Sequence, residues 1–360
     1  MTFPLALAIS AVPASVVTAA AATTHLGPKG QRPSDLQLSG AGSTFDAPFF
    51  SAAFTRYHQL DPDVSVSYSA VGSSDGIKRF SAGTVDFGAS DVPMTTAEQA
   101  EARGGPVVQV PVDLGAVVVS YNLGTGLLPL PLRLTGPVLA RIYLGQITNW
   151  QDPAIVSLNP DDALPDEKIT VVHRSDGSGT TYIFTNYLSS VSPAWASGPG
   201  TSKSINWPVG LGAKGSAGIA DVLKVLPGSI GYFELSYAES HLLPYAVIEN
   251  GSGVFVPPFA ANVAADASVK ESVSPSNFSI VNEPGPASYP ISGYSWVLLY
   301  QRQPSVATGT AVVTLVDWLT HAGQSVASAN YYVPLPPRIE AIAQSSLATL
   351  VGPTGARLFQ

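Results

Sequence analysis

Arg174-Ser175-Asp176-Gly177-Ser178-Gly179-Thr180 brings a guanidinium, a carboxylate, hydroxyls and two glycines into one short run. It lies between an apolar stretch of strand type (Ile169 to Val172) and one of helix type (Tyr182 to Leu188). A turn of small residues that opens a helix leaves backbone N–H groups without intrahelical partners. The helix dipole adds positive potential at the same place. Hydroxyls and a guanidinium beside such a turn are the groups that recognise a tetrahedral oxyanion. The chemistry expected here is anion binding, with phosphate as the first candidate.

Three further segments repeat this chemistry: Gly40-Ala41-Gly42-Ser43-Thr44-Phe45, Gly72-Ser73-Ser74-Asp75-Gly76 and Ala89-Ser90-Asp91-Val92-Pro93. Each follows a strand-like stretch. Taken singly, each also reads as an ordinary helix cap or turn. Together they carry more weight, because ligands of open α/β sheets bind at the carboxyl ends of strands.

The elements that must position these turns alternate in the α/β manner. Strands are expected at Leu36 to Ser39, Val64 to Val71, Val85 to Ala89 and Ser229 to Leu235. Helices are expected at Phe45 to Leu60, Ser74 to Ala82, Pro137 to Leu144, Ser216 to Leu226, Ala307 to His321 and Arg338 to Leu350. On the first of these, Phe49, Phe50, Ala53, Phe54 and Tyr57 share one face. Ser197 to Thr201 and Asn250 to Pro258 read as loops. Two long β-type runs, Val107 to Tyr121 with Pro111 and Gly115, and Ile291 to Tyr300 with Gly293, suggest a two-strand hinge.

The chain has 360 residues, 45% of them hydrophobic and only 12% charged, against a usual charged share of ~25%. Net charge is −8, so an anion must be held by local donors rather than by the overall field. The absence of any basic stripe argues against nucleic acid as a partner. With no cysteine, thiolate metal sites, disulfides and lipid attachment through a cysteine are excluded. The histidines show no metal spacing, and neither a metal nor a cofactor is expected. Leu5 to Ala22 is apolar and uncharged, with Ala20 and Ala22 before Thr23. It reads as a signal peptide over 1–22, followed by a linker over 23–35, with a membrane anchor as the alternative.

The combination resembles the phosphate-binding receptors of bacterial phosphate ABC transporters, which are type II periplasmic binding proteins. The runs that carry the resemblance are GAGSTFDAPFF (Gly40 to Phe50), VGSSDGIKRF (Val71 to Phe80), TVDFGASDVPM (Thr84 to Met94), IYLGQITNW (Ile142 to Trp150), HRSDGSGTTYIFTNYL (His173 to Leu188) and LPGSIGYFELSYA (Leu226 to Ala238). The resemblance implies a two-lobed α/β fold with a two-strand hinge. It also implies an extracytoplasmic, non-enzymatic monomer that hands phosphate to a membrane permease and ATPase. Lobe I is expected over 36–112 and 292–360, and lobe II over 113–291. Carried over position by position, Thr44 and Phe45 would offer backbone N–H groups and Ser73 its hydroxyl. Asp91 would be the site carboxylate and Arg174 the guanidinium. Ser178, Gly179 and Thr180 would close the cage, with Asp176 orienting Arg174 from behind. The N-terminus departs from the family pattern, having neither a basic leader region nor a lipid-attachment cysteine.

A carboxylate facing an anion needs a reason. Phosphate at neutral pH carries a proton that Asp91 can accept as a hydrogen bond, whereas sulfate offers only lone pairs. A hydrolase using Ser178 as nucleophile and His173 as base is the competing class, and a receptor for another oxyanion is the third. His173 and Lys214 are expected on the surface or rim rather than at the ligand.

Overall fold

The structure is a computed structural model that describes residues 36–124 and 131–359. The expected signal peptide and linker lie outside the described residues. The strands are β1 (Leu36–Gly42), β2 (Val64–Ala70), β3 (Phe87–Ser90), β4 (Val107–Asn122), β5 (Arg133–Leu134), β6 (Thr170–Arg174), β7 (Leu211–Ala213), β8 (Ser229–Glu234), β9 (Val247–Glu249), β10 (Phe255–Val256) and β11 (Ser292–Tyr300). Eight of them form one sheet in the order β2-β1-β3-β11-β4-β8-β6-β7, and β10-β9-β5 form a small second sheet.

β4 runs unbroken through both halves of the large sheet. Its residues Val107 to Ala116 pair antiparallel with β11, and Val117 to Asn122 pair antiparallel with β8. The exchange of partners falls between Ala116 and Val117. A register shift interrupts the β4–β11 ladder beside Ser295 and Trp296, opposite Asp113 and Pro111. Pro111 has no N–H to give, and such irregularities are where a strand tolerates proline.

On either side of this pair the strands are parallel: β1 with β2 and β3, β6 with β8 and β7. Their carboxyl ends therefore point alike within each half, and each runs into a turn that opens a helix. β1 leads to the helix Ala47–Leu60, which buries the same aromatic face that the sequence pattern marks. β2 leads to Ser73–Ser81 and β6 to Gly179–Val191. The last of these starts three residues earlier than its apolar pattern suggests. Ser178 accepts a hydrogen bond from the Thr181 N–H at 3.1 Å and so caps it as N-cap.

Burial is continuous from Gln109 to Tyr121 of β4 and along β8 and β11. One part of the loop expectation needs correction: Asn250 to Pro258 contains β10, paired antiparallel with β9. The signal lay in Asn250, whose side chain accepts from the N–H groups of Ser252 and Val254 and ties the intervening turn.

Candidate functional site

The four turns meet where the two halves of the sheet face each other. Gly42 lies so close to β3 that a Cβ on it would stand 1.9 Å from the Ala89 carbonyl oxygen, which brings the first and third turns together. Gly72 has φ +96°, and a Cβ there would stand 2.4 Å from Asp176 Oδ2. A side chain at that position would therefore meet both a strained backbone and the opposite turn.

Thr44, Phe45, Ser73, Asp91, Arg174, Ser178, Gly179 and Thr180 are all buried, and the contacts among them cross from one half to the other. The Gly179 N–H donates to Ser73 Oγ at 3.1 Å. Thr180 Oγ1 donates to Asp91 Oδ2 at 3.4 Å, and the Ser74 N–H donates to the Gly177 carbonyl at 3.0 Å. The Ser216 N–H donates to Thr44 Oγ1 at 3.2 Å, and the two hydroxyls lie 3.0 Å apart. Tyr237 donates from its phenol to the Thr44 carbonyl at 2.9 Å.

Arg174 is almost fully buried, its side chain 1% exposed. Its Nε donates to Asp176 Oδ1 at 2.7 Å and its Nη2 to Asp176 Oδ2. This bidentate pair fixes the plane of the guanidinium. Nη1 faces Ser216 Oγ at 3.4 Å. Asp176 is held in turn by the Gly215 N–H at 3.0 Å. Burial works against its charge, yet the hydrogen bond and charge of Arg174 keep its carboxyl below the usual range.

Asp91 faces this arrangement from the other half. Its Oδ1 accepts from Ser295 Oγ at 3.0 Å. Burial raises its pKa to about 6, and hydrogen bonds from Ser43, Ser295 and Thr180 together with the charge of Arg174 limit the rise. At neutral pH it is an ionised acceptor in a site otherwise lined by donors.

The competing hydrolase is not assembled. Ser178 Oγ caps its own helix. His173 stacks on Trp207, ring centroids 4.7 Å apart, and its Nδ1 lies 3.1 Å from the Arg174 carbonyl. Lys214 is exposed at the start of the helix Gly215–Val225. Among the described residues no group of three or more His, Asp or Glu side chains could hold a metal ion.

A family model of the PBP superfamily domain matches residues 27–322. The phosphate-binding protein PstS of Xylella fastidiosa (strain 9a5c) is 40% identical over 314 residues, covering 87% of this chain and 85% of that protein. The chain belongs to the PstS family of phosphate-binding proteins. PstS of Haemophilus influenzae is 37% identical, with 87% of this chain and 92% of that protein covered. The solved structure of a human phosphate binding apolipoprotein superposes with a TM-score of 0.71 at 22% identity, over 89% of this chain and 99% of that one. The fold is thus the mixed α/β fold of type II periplasmic binding proteins. In this PstS-family chain β4 lies beside β11 up to the point where it changes partner to β8.

Sequence reasoning missed several residues that this PstS-family fold brings to the site. Ser216 and Tyr237 meet Thr44, and Ser295 meets Asp91. Lys203 lies beside Ser178, whose N–H donates to the Lys203 carbonyl at 2.8 Å. The Lys203 Nζ reaches Glu98 Oε1 at 2.5 Å. None of these carried a signal that set it apart: Ser295, for one, shares its strand run with Ser292.

Proposed function

We propose that the protein is an extracytoplasmic receptor that binds inorganic phosphate between its lobes and delivers it to the permease and ATPase of a phosphate ABC transporter. The observation that carries the reading is the pairing of a buried Asp91 carboxyl, accepting from Ser295 and Thr180, with a cage of donors containing Arg174. Such a site takes an anion that itself brings a proton. Phosphate would receive donors from the Thr44 and Phe45 N–H groups, the hydroxyls of Thr44, Ser73, Ser178 and Thr180, the Gly179 N–H and the Arg174 guanidinium. Its own hydroxyl would donate to Asp91. Sites that hydrogen-bond a ligand OH can reject an analogue lacking it by roughly 10⁴–10⁵, so sulfate is excluded while arsenate is not.

We assign lobe I to 36–112 and 292–360 and lobe II to 113–291; the exchange of strand partners in β4, four residues after this boundary, supports a crossing in this stretch. Closure would bury the ion, and the closed face would dock on the permease as a monomer. Export follows from the leader expected over 1–22, and no nucleic acid takes part. Calorimetric titration of the mature protein with phosphate, arsenate and sulfate tests the reading. Tight phosphate and arsenate with undetectable sulfate is expected; sulfate binding as tightly as phosphate, or no phosphate uptake, overturns it.

A further inference from the structure

Behind the site lies a second pair of carboxyl groups that the binding chemistry does not use. Asp46 occupies the N-cap position of the helix Ala47–Leu60 but caps nothing. Asp113 lies on β4 directly opposite Ser295 of β11. Both side chains are fully buried, and among the described residues none of their four oxygens has a hydrogen-bond partner. The two carboxyls are neighbours, and Asp46 also faces Ser295.

The groups packed around them are all committed elsewhere. The phenols of Tyr68, Tyr237 and Tyr332 donate to the carbonyls of Ser43, Thr44 and Phe45. Arg174 is held by Asp176. Glu234, also buried, accepts from Ser236, and Asp91 is an acceptor. Among the described residues no cation and no uncommitted hydroxyl therefore serves the pair, and the hydrogens available to it are carboxylic protons of its own. A like-charged, dehydrated pair retains such protons. Burial first, and then the charge of Asp91, pushes both groups well above the usual carboxylate range, and the charge of Asp113 adds to the rise at Asp46.

Ser295 connects the pair to the site. Its one hydroxyl hydrogen points at Asp91 Oδ1. It stays there only while Asp46 is protonated, because an ionised Asp46 would compete for the same hydrogen. We propose that Asp46 and Asp113 are positioning residues that hold protons behind Ser295 and thereby keep Asp91 as the acceptor for the hydroxyl of bound phosphate. The inference rests on the phosphate-receptor reading. Its consequence is a loss of phosphate affinity at alkaline pH, when the pair ionises, Ser295 turns away and Asp91 meets a new negative charge.

The test is the phosphate dissociation constant of the full mature chain, titrated from neutral pH to pH ~9.5, for wild type, Asp46→Asn and Asp113→Asn. Asn mimics the protonated acid and cannot ionise. The variants are expected to match wild type within about threefold at neutral pH, and wild type to weaken by about tenfold or more relative to them at the alkaline end. An apolar replacement of both partners, Asp46→Leu with Asp113→Val, guards against misfolding of the single variants. It should also escape the alkaline loss. Parallel pH profiles for wild type and the variants overturn the role of the pair while leaving the receptor reading intact. No phosphate binding by wild type at any pH overturns both.

Discussion

Replacing Asp91 by Asn separates the energetic cost of the site carboxylate from its use. The ordinary pKa of 3.8 rises to about 6 in the folded protein, so the folded state holds the proton more tightly than the unfolded one. The stability contributed by that proton is fully present below pH ~4 and is lost as pH rises through about 6. A rise of that size corresponds to about 3 kcal/mol. The Asn variant carries no such loss. Its Oδ1 can still accept from Ser295 and its Nδ2 can donate to Thr180 Oγ1, so both hydrogen bonds at Asp91 have replacements. Ligand-free Asp91→Asn is therefore expected to be more stable than wild type by up to about 3 kcal/mol at pH 7.5, with the gap closing near pH 4. Urea unfolding of both proteins at the two pH values measures this. In calorimetric titrations the same substitution should bring sulfate closer to phosphate by at least about a hundredfold in the ratio of dissociation constants. A stability gap that ignores pH would refute the burial argument. Sulfate rejection as strong in the variant as in wild type would move selectivity from Asp91 to the shape of the cavity.

Other substitutions test other parts of the same arrangement. Arg174→Ala strands a buried Asp176 and removes the guanidinium; calorimetry should record at least about a hundredfold weaker phosphate, and unfolding a loss of about 3 kcal/mol or more. In Gly179→Ala the new Cβ would stand 2.5 Å from Asp91 Oδ2 and 2.7 Å from Ser73 Oγ, contacts made only across the lobes. The fold should survive with its melting temperature little changed, while phosphate weakens by about tenfold or more; unchanged affinity would place the lobes differently. Lys203→Met removes the ion pair with Glu98, whose carboxyl is penalised by burial but held below its usual range by Lys203 and Thr95. A partly exposed pair is worth about 1 kcal/mol or less, so stopped-flow release of phosphate should quicken by no more than about fivefold.

The elements of this chain were legible where local chemistry constrains them. The aromatic face of Ala47–Leu60 follows from spacing alone, and the small-residue turns announced themselves because a side chain at Gly42 or Gly72 has no room. The long strands β4 and β11 were readable as apolar runs. The helix after β6 was legible in kind but not in onset, since Ser178 is chosen as cap by its hydrogen bond rather than by hydrophobic period. Ser216, Tyr237 and Ser295 were not legible as site neighbours. Each meets its partner across well over a hundred residues of chain, and only the assembled sheet decides which hydroxyl lands there. Asp46 and Asp113 drew no reading from the sequence; their adjacency depends on the register of β4 against β11 and the seating of the first helix.

The position of β11 also governs how the chain can be made. In the sheet β11 lies between β3 and β4, yet it is synthesised long after both. Until residues 292–300 emerge, β3 and β4 each present an unpaired edge, and they cannot close on one another without excluding the strand that belongs between them. The part carried by β4, β8 and β6 needs no later strand and can order first. The other half must wait with open edges, the situation in which chains aggregate or pair wrongly. A chain cut short before β11 would keep both edges permanently. It would be expected to accumulate as aggregate rather than as a smaller folded protein, while the intact chain completes its sheet by inserting one of its last strands.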